Sequence, residues 1–192
     1  MLPLLTDLEK RWEEGDLAAP LAVELARKAY PQWQPAFLAA PPGFRLRCHL
    51  IDDDAVRAGR LLSQIYWNEG IPLEEMVRAH RHSTAWVGLE DANGELVGSA
   101  RAISDTAKWA YIYDVMLIDR LRKQRLGEPL FELLLNHPAL RRCRTVRLDT
   151  KDAENFYLKF AFVRTELGPQ RPWRSINLSL YRKPLPHAQP SL

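Results

Sequence analysis

The residues with most chemical content lie between Asp114 and Gly127. The stretch runs Asp114-Val-Met-Leu-Ile-Asp-Arg-Leu-Arg-Lys-Gln-Arg-Leu-Gly127, which reads as a strand passing through a basic loop into a helix. A loop that opens a helix presents unpaired backbone N–H groups at the positive end of the helix dipole, and together these suit a phosphate. Arg122, Lys123 and Arg125 add mobile positive charge at the same place, and Gly127 permits close backbone approach. Taken alone, such a stretch is more often a solvated basic turn. Asp114 stands out for a second reason. A carboxylate in a strand otherwise rich in apolar and aromatic residues is costly unless hydrogen-bonded, so it is either a working group or the partner of a nearby Arg.

The elements that must position these residues follow from pattern and punctuation. The first 43 residues read as a helical extension. Thr6-Asp7-Leu8-Glu9 is a capping-box pattern with Gly15 as terminator, and Asp16 caps a second helix through Leu21, Leu25 and Ala29 that Pro31 stops. After the break Pro41-Pro42-Gly43, Phe44 to Leu50 alternates as a strand. Helices follow from Asp52 to near Gly70 and from Pro72 to about His80. Ala85–Leu89 and Glu95–Ile103 form a hairpin about Asp91-Ala92-Asn93-Gly94, and Trp109–Ile118 is a third strand. Then come a helix over Leu126–Asn136, a strand over Thr145–Asp149, a helix over Ala153–Lys159, and strands at Phe162–Val163 and Ser175–Tyr181. The order β-α-α-β-β-β-α-β-α-β-β predicts an α+β fold with helices on a mixed sheet. It divides the chain into an extension (1–43), a domain (44–183) and a proline-rich tail (184–192) expected to be disordered.

Composition narrows the functional classes. The chain has 192 residues with a net charge of +3, and no apolar run approaches the roughly 18 residues of a membrane span. Acidic residues rather than a cleavage site follow the apolar start Met1–Leu5, which argues against a secretory signal. Cys48 and Cys143 lie outside metal-ligand spacing and read as reduced thiols of a cytoplasmic protein. The five histidines (His49, His80, His82, His137, His187) form no nucleophile or metal pattern, so no metal is expected. The charge is uneven. Between Ile118 and Arg147, eight basic residues (Arg120, Arg122, Lys123, Arg125, Arg141, Arg142, Arg144, Arg147) face three acids (Asp119, Glu128, Glu132). The segment Arg141–Arg147 suits an acidic partner or a phosphate, although a solvated face is the commoner outcome.

At this point the sequence resembles the GNAT superfamily of acetyl-CoA-dependent N-acetyltransferases, over roughly Phe44 to Tyr181. Leu117-Ile-Asp-Arg-Leu-Arg122-Lys-Gln-Arg-Leu-Gly127 is similar to the family's V-x-x-x-x-(R/Q)-x-x-G-x-(G/A). Asp149 to Phe162 is similar to a helix ending in the family's Y-x-K-x-G-F. Tyr66-Trp67, Ala100-Arg101 and His137-Pro138-Ala139-Leu140 resemble a small bacterial branch. The resemblance implies a GNAT-like, mostly antiparallel sheet flanked by helices, and acetyl-CoA as co-substrate. It implies that Val115 and Leu117 lie on a splayed strand offering backbone groups to pantetheine. Arg122 and the amides of Lys123, Gln124, Arg125, Leu126 and Gly127 would hold the pyrophosphate, and Tyr157 would protonate the departing thiolate. A phenol with an ordinary pKa of about 10 is a competent donor to a thiolate of similar basicity.

The amine acceptor must be neutral before it attacks, so a base or a water relay must accept its proton. Asp114 is the best carboxylate for this, because it lies on the strand beside the thioester. Tyr111 and Tyr113 share that strand and are candidates to orient a water or the acceptor. Tyr66 and Trp67, with Trp86, Trp109 and Trp173, are aromatic candidates for the acceptor pocket. Glu95 and Asp105 read as turn residues.

The chain departs from the family at three positions: Lys123, Arg125 and Ala161 stand where glycine is expected. The leading expectation is transfer of an acetyl group from acetyl-CoA to a small-molecule or protein amine by direct attack. The alternative is a non-catalytic GNAT-like binding or regulatory module that has lost the cofactor. Nucleic-acid association ranks last, since no aromatic platform interleaves the basic segment, and a homodimer is left open.

Overall fold

Period-two alternation and well-marked turns build a seven-stranded sheet. In the computed structural model, residues 21–24, 35–38, 40–48, 50, 52–166 and 175–182 are described. Two short strands, β1 (Leu21–Glu24) and β2 (Pro35–Leu38), pair antiparallel with each other. From Phe44 the order is β3 (Phe44–Arg47), α1 (Asp52–Leu62), α2 (Leu73–Arg81), β4 (Ala85–Asp91), β5 (Leu96–Ser104), β6 (Trp109–Leu117), α3 (Gly127–Leu135), β7 (Thr145–Thr150), α4 (Glu154–Leu158), β8 (Val163–Arg164) and β9 (Ile176–Tyr181). This matches the element order expected from the sequence. The strands lie β3-β4-β5-β6-β7-β9-β8, antiparallel throughout except for β6 and β7, which run parallel. A parallel pair needs a crossover, and α3 with the turn after it supplies one.

One expectation is overturned. The four-residue spacing of Leu21, Leu25 and Ala29 predicts a helix, but Leu21–Glu24 is a strand in register with Pro35–Leu38. A short apolar run has no distinctive period, so a long-range backbone partner decides its state. The capping box at Thr6, residues 25–34 of the predicted second helix and the tail 184–192 lie outside the described residues, as does Trp173.

The two sheet faces have different tasks. One face buries Ala100, Ala102, Ala110, Ile112, Val146 and Leu148 in a single core with Leu130, Phe131 and Leu134 of α3. The other carries α1 and α2, with Ala58 packed on Trp86 and Leu96, and Leu62 and Met76 packed on Met116. Polar ties hold these layers in place. Arg47 donates to Asp54 (2.8 Å) and Glu90 (2.9 Å), and Arg57 donates to the same two carboxylates (3.0 and 2.8 Å), which locks α1 to β3 and β4. Just after β9, the buried Arg182 donates to the Leu135 carbonyl (3.0 Å) and to those of Leu140 and Cys143, satisfying acceptors that the end of α3 leaves open. Among the described residues, no helix is long and apolar enough to cross a membrane.

Candidate active site

The site begins with a failure of strand pairing. β6 and β7 are in register only at Trp109↔Thr145, Ala110↔Val146 and Tyr111↔Arg147. Past Tyr111, β6 continues to Leu117 against β5, while β7 continues to Thr150 against β9. The two strands therefore separate, and a cleft of about 700 Å³ occupies the wedge. Of the residues predicted for catalysis and cofactor binding, Gln124 alone does not line it; its side-chain amide donates instead to the Arg120 carbonyl (3.0 Å). Tyr66, Trp67, Tyr111, Tyr113, Asp114, Val115, Leu117, Arg122, Lys123, Arg125, Leu126, Gly127 and Tyr157 all line the cleft.

At one end stands the N-terminus of α3, where no side chain caps the first amides. The loop before it holds Lys123 at φ 64° and Arg125 at φ 62°, and after α4 Ala161 is at φ 61°. These are the three positions at which the resemblance expects glycine, and the backbone keeps the left-handed conformation glycine would supply. Alternating left- and right-handed residues turn successive amides toward one concavity, here Arg125 followed by right-handed Leu126. The charged side chains do not fill the wedge. Arg125 is 83 % exposed and reaches Glu128 at 3.4 Å. Glu128 also accepts from Lys159 (2.8 Å), and that bond, more than Arg125, holds its carboxyl below the usual range.

A non-glycine residue in the left-handed region costs about 1–2 kcal/mol. Ala161 is exposed, so its methyl contributes no packing to offset that strain. Ala161→Gly is therefore expected to stabilise the fold by about 0.5–1 kcal/mol after the added unfolded-state entropy of glycine. Chemical denaturation checks this, and Ala161→Val must move the other way.

The opposite wall is aromatic. Phe131 of α3 makes edge contacts with Phe156, Tyr157 and Phe160 at ring-centre distances of 5.6, 5.2 and 4.8 Å, which fixes α4 and turns Tyr157 to the cleft. Burial, and secondarily the charge of Asp152, push the Tyr157 hydroxyl well above the ordinary phenol range. That hydroxyl keeps its proton at any working pH and is a weaker acid than an exposed phenol.

At the far end, the strand irregularity sets the chemistry. Opposite Ala100, β6 carries two residues, Asp114 and Val115, and Asp114 adopts φ 53°. Strict alternation would place Asp114 on the same face as Ile112, in the core. The bulge re-aims it, and Arg101 Nε donates to its carboxylate at 2.5 Å. Arg101 also lies over the Tyr113 ring (4.9 Å to its centre), and Tyr113 stacks on Tyr111 at 4.8 Å. Across the mouth, Tyr66 meets Trp67 edge-on (5.0 Å) and carries the Lys151 ammonium on its face (4.7 Å). Burial and Asp152 raise the Tyr66 pKa.

The structure also separates some residues from the cleft. Trp86 is buried and donates to Ser99 Oγ (2.9 Å), and Trp109 packs under Arg147 (4.7 Å). Neither lines the cleft, and neither do Arg141, Arg142, Arg144 or Arg147. Of that basic segment Arg141 is buried, so its charge does not serve the loop. Asp105 closes a turn by accepting from the amides of Ala107, Lys108 and Trp109. Sequence reasoning missed Arg101 as a site residue, and it missed Lys151 and Asp152. The signal for Arg101 was its place beside Ala100 on the strand next to β6.

Comparison with known proteins agrees with this geometry. The sequence model described as Acetyltransferase (GNAT) family matches residues 46–162. An uncharacterised N-acetyltransferase, ycf52, of Pyropia yezoensis is 31 % identical over 101 residues, covering 50 % of this chain; the match spans 58 % of that relative's length. A GNAT-family acetyltransferase structure from Xanthomonas campestris pv. campestris is 29 % identical with a TM-score of 0.58, covering 66 % of this chain and 92 % of the other. An aminoglycoside 6'-N-acetyltransferase complexed with coenzyme A shares the fold at 18 % identity (TM-score 0.60; 73 % of this chain, 99 % of the other). With its sheet order, its parted strands and a family match over more than half its length, the chain belongs to the GNAT acetyltransferase family.

Proposed function

We propose that the protein is an N-acetyltransferase that moves an acetyl group from acetyl-CoA to an amine by direct attack. The observation that carries this reading is the wedge between β6 and β7, with an uncapped helix N-terminus at one end and Tyr157 on its wall. Bound there, acetyl-CoA supplies an activated acetyl thioester. Arg122 and the amides from Lys123 to Gly127 bind its pyrophosphate, the Gln124 amide included, and the backbone of Val115 and Leu117 holds the pantetheine arm. Tyr157 gives its proton to the departing thiolate. Asp114, held by Arg101, orients the amine or a water that takes its proton, beside an aromatic wall of Tyr66, Trp67, Tyr111 and Tyr113. The exposure of Arg125 and its pairing with Glu128 support this reading over a non-catalytic module, since a cleft of about 700 Å³ remains beside it.

Titration calorimetry tests the binding step. The folded protein is expected to bind acetyl-CoA with a dissociation constant below about 1 mM, in the range of enzyme substrates. Gly127 offers an internal control. A Cβ added there meets only the Phe156 ring at 3.5 Å, an ordinary contact. Gly127→Ala is therefore expected to fold as well as the parent and to bind acetyl-CoA at least about tenfold more weakly, a loss of ~1.4 kcal/mol. No binding at millimolar concentration by folded protein would overturn the enzyme reading and leave the non-catalytic module.

A further inference from the structure

Behind the Arg101–Asp114 pair lies a buried group that the reaction as described does not use. Met76 of α2 packs with Met116 of β6. One helical turn onward, about 6 Å along the axis, is His80, and two residues back along β6 is Asp114. This register brings the imidazole under the bulge. His80 is 1 % exposed. Its Nδ1 lies 2.8 Å from the Met76 carbonyl, which can only accept, so Nδ1 carries the proton and Nε2 presents a lone pair. That Nε2 is buried without a hydrogen-bond partner among the described residues. A buried acceptor left open is uncommon and calls for a reason.

The charged groups acting on His80 are Arg101 from β5 and Asp114 from β6. From its own end of α2, Ser83 accepts from Arg101 Nη1 at 3.4 Å and donates to the Ala79 carbonyl at 2.8 Å. The α1 side is apolar, with Leu62 beside Met76. Burial holds the imidazole below its ordinary pKa, so it is neutral near pH 7.

We propose that His80 is a positioning residue of the acceptor site, acting through Arg101 and Asp114. While neutral, it leaves Arg101 as the cation that holds Asp114, and the carboxylate stays aimed into the cleft. A proton on Nε2 creates a second cation beside the pair. It competes for Asp114, repels Arg101 and withdraws the carboxylate from the acceptor. Titration of His80 thus gates the acceptor end, and the acid limb of the reaction belongs to His80. This rests on the acetyltransferase reading, but the linkage of the three side chains is measurable without turnover.

The test is an NMR titration of the whole chain, following the His80 ring nitrogens, the Asp114 carboxyl carbon and Arg101 Nε. The expected result is a neutral ring protonated at Nδ1 near pH 7, and one shared inflection at all three groups on acidification. In His80→Asn, which keeps a donor for the Met76 carbonyl and lacks Nε2, that inflection should vanish from Asp114 and Arg101. A His80 inflection that Asp114 and Arg101 do not share would overturn the proposal, and this wild-type result needs no variant. Should His80→Asn fail to fold, His80→Gln takes its place. Thiol release from acetyl-CoA with an α-amino peptide, a diamine and an aminosugar then gives kcat/KM against pH. The variant is expected to lose the acid limb while KM for acetyl-CoA is unchanged, and superimposable limbs would count against the proposal. Absence of turnover with all three amines strikes the acetyltransferase reading and leaves the titration result intact.

Discussion

Tyr157→Phe is expected to lower kcat by about 10²–10³-fold, the usual scale for removing a positioned proton donor. Acetyl-CoA affinity should be unchanged. The substitution removes one oxygen and keeps the ring, so the edge contacts with Phe131 and Phe156 survive and stability should change by less than about 1 kcal/mol. The hydroxyl holds its proton throughout the working range, its pKa pushed up by desolvation and then by Asp152. An acid must hold its proton to act, and a raised pKa moves the loss of that proton to higher pH. No alkaline limb from Tyr157 is therefore expected below about pH 10, the ordinary phenol value. Steady-state kinetics with calorimetry on the same variant separates the outcomes. A variant with full kcat makes Tyr157 a core aromatic and nothing more.

Arg101→Leu is expected to destabilise the protein by about 2–3 kcal/mol, somewhat under the ~3–5 kcal/mol for breaking a fully buried pair. The two side chains are only 12 % and 14 % exposed, so water replaces the lost guanidinium poorly and Asp114 keeps a charge it cannot pair well. For a chain of this size the loss corresponds to a Tm lower by about 5–10 °C. Adding Asp114→Asn should restore most of the stability. The amide removes the unpaired charge, and asparagine tolerates the left-handed conformation that Asp114 holds at φ 53°. Activity should not return with stability, because the carboxylate is gone. Denaturant unfolding of the single and double variants reads the first effect and kcat/KM the second. A double variant no more stable than Arg101→Leu would mean the pair contributes packing rather than charge.

Much of the fold was legible because its signals are local. The turn Asp91–Gly94 and the alternation on either side define the β4–β5 hairpin whatever surrounds them. The basic loop opening into an apolar helix marked the α3 terminus for the same reason. Where the signal was not local, reading by period failed. Leu21–Glu24 has helical spacing and forms a strand, because β2, eleven residues on, supplies a partner. Arg141–Arg147 reads as part of the same positive field as Arg122, yet the chain turns it away from the cleft and buries Arg141.

The sequence by itself determined the order of elements, the family, and the positions of the loop and of Tyr157, since each rests on residue types at fixed short spacings. Tertiary structure alone decided what those residues face. Lys123, Arg125 and Ala161 stand where glycine is expected, and the backbone keeps left-handed angles at all three, with Arg125 exposed and paired with Glu128. Alternation assigns Asp114 to the core face, and a bulge one residue long moves it to Arg101. His80 has no motif at all. Its place beneath that pair comes from how α2 packs on β6 around Met76 and Met116, a contact between residues 40 positions apart that no local pattern encodes.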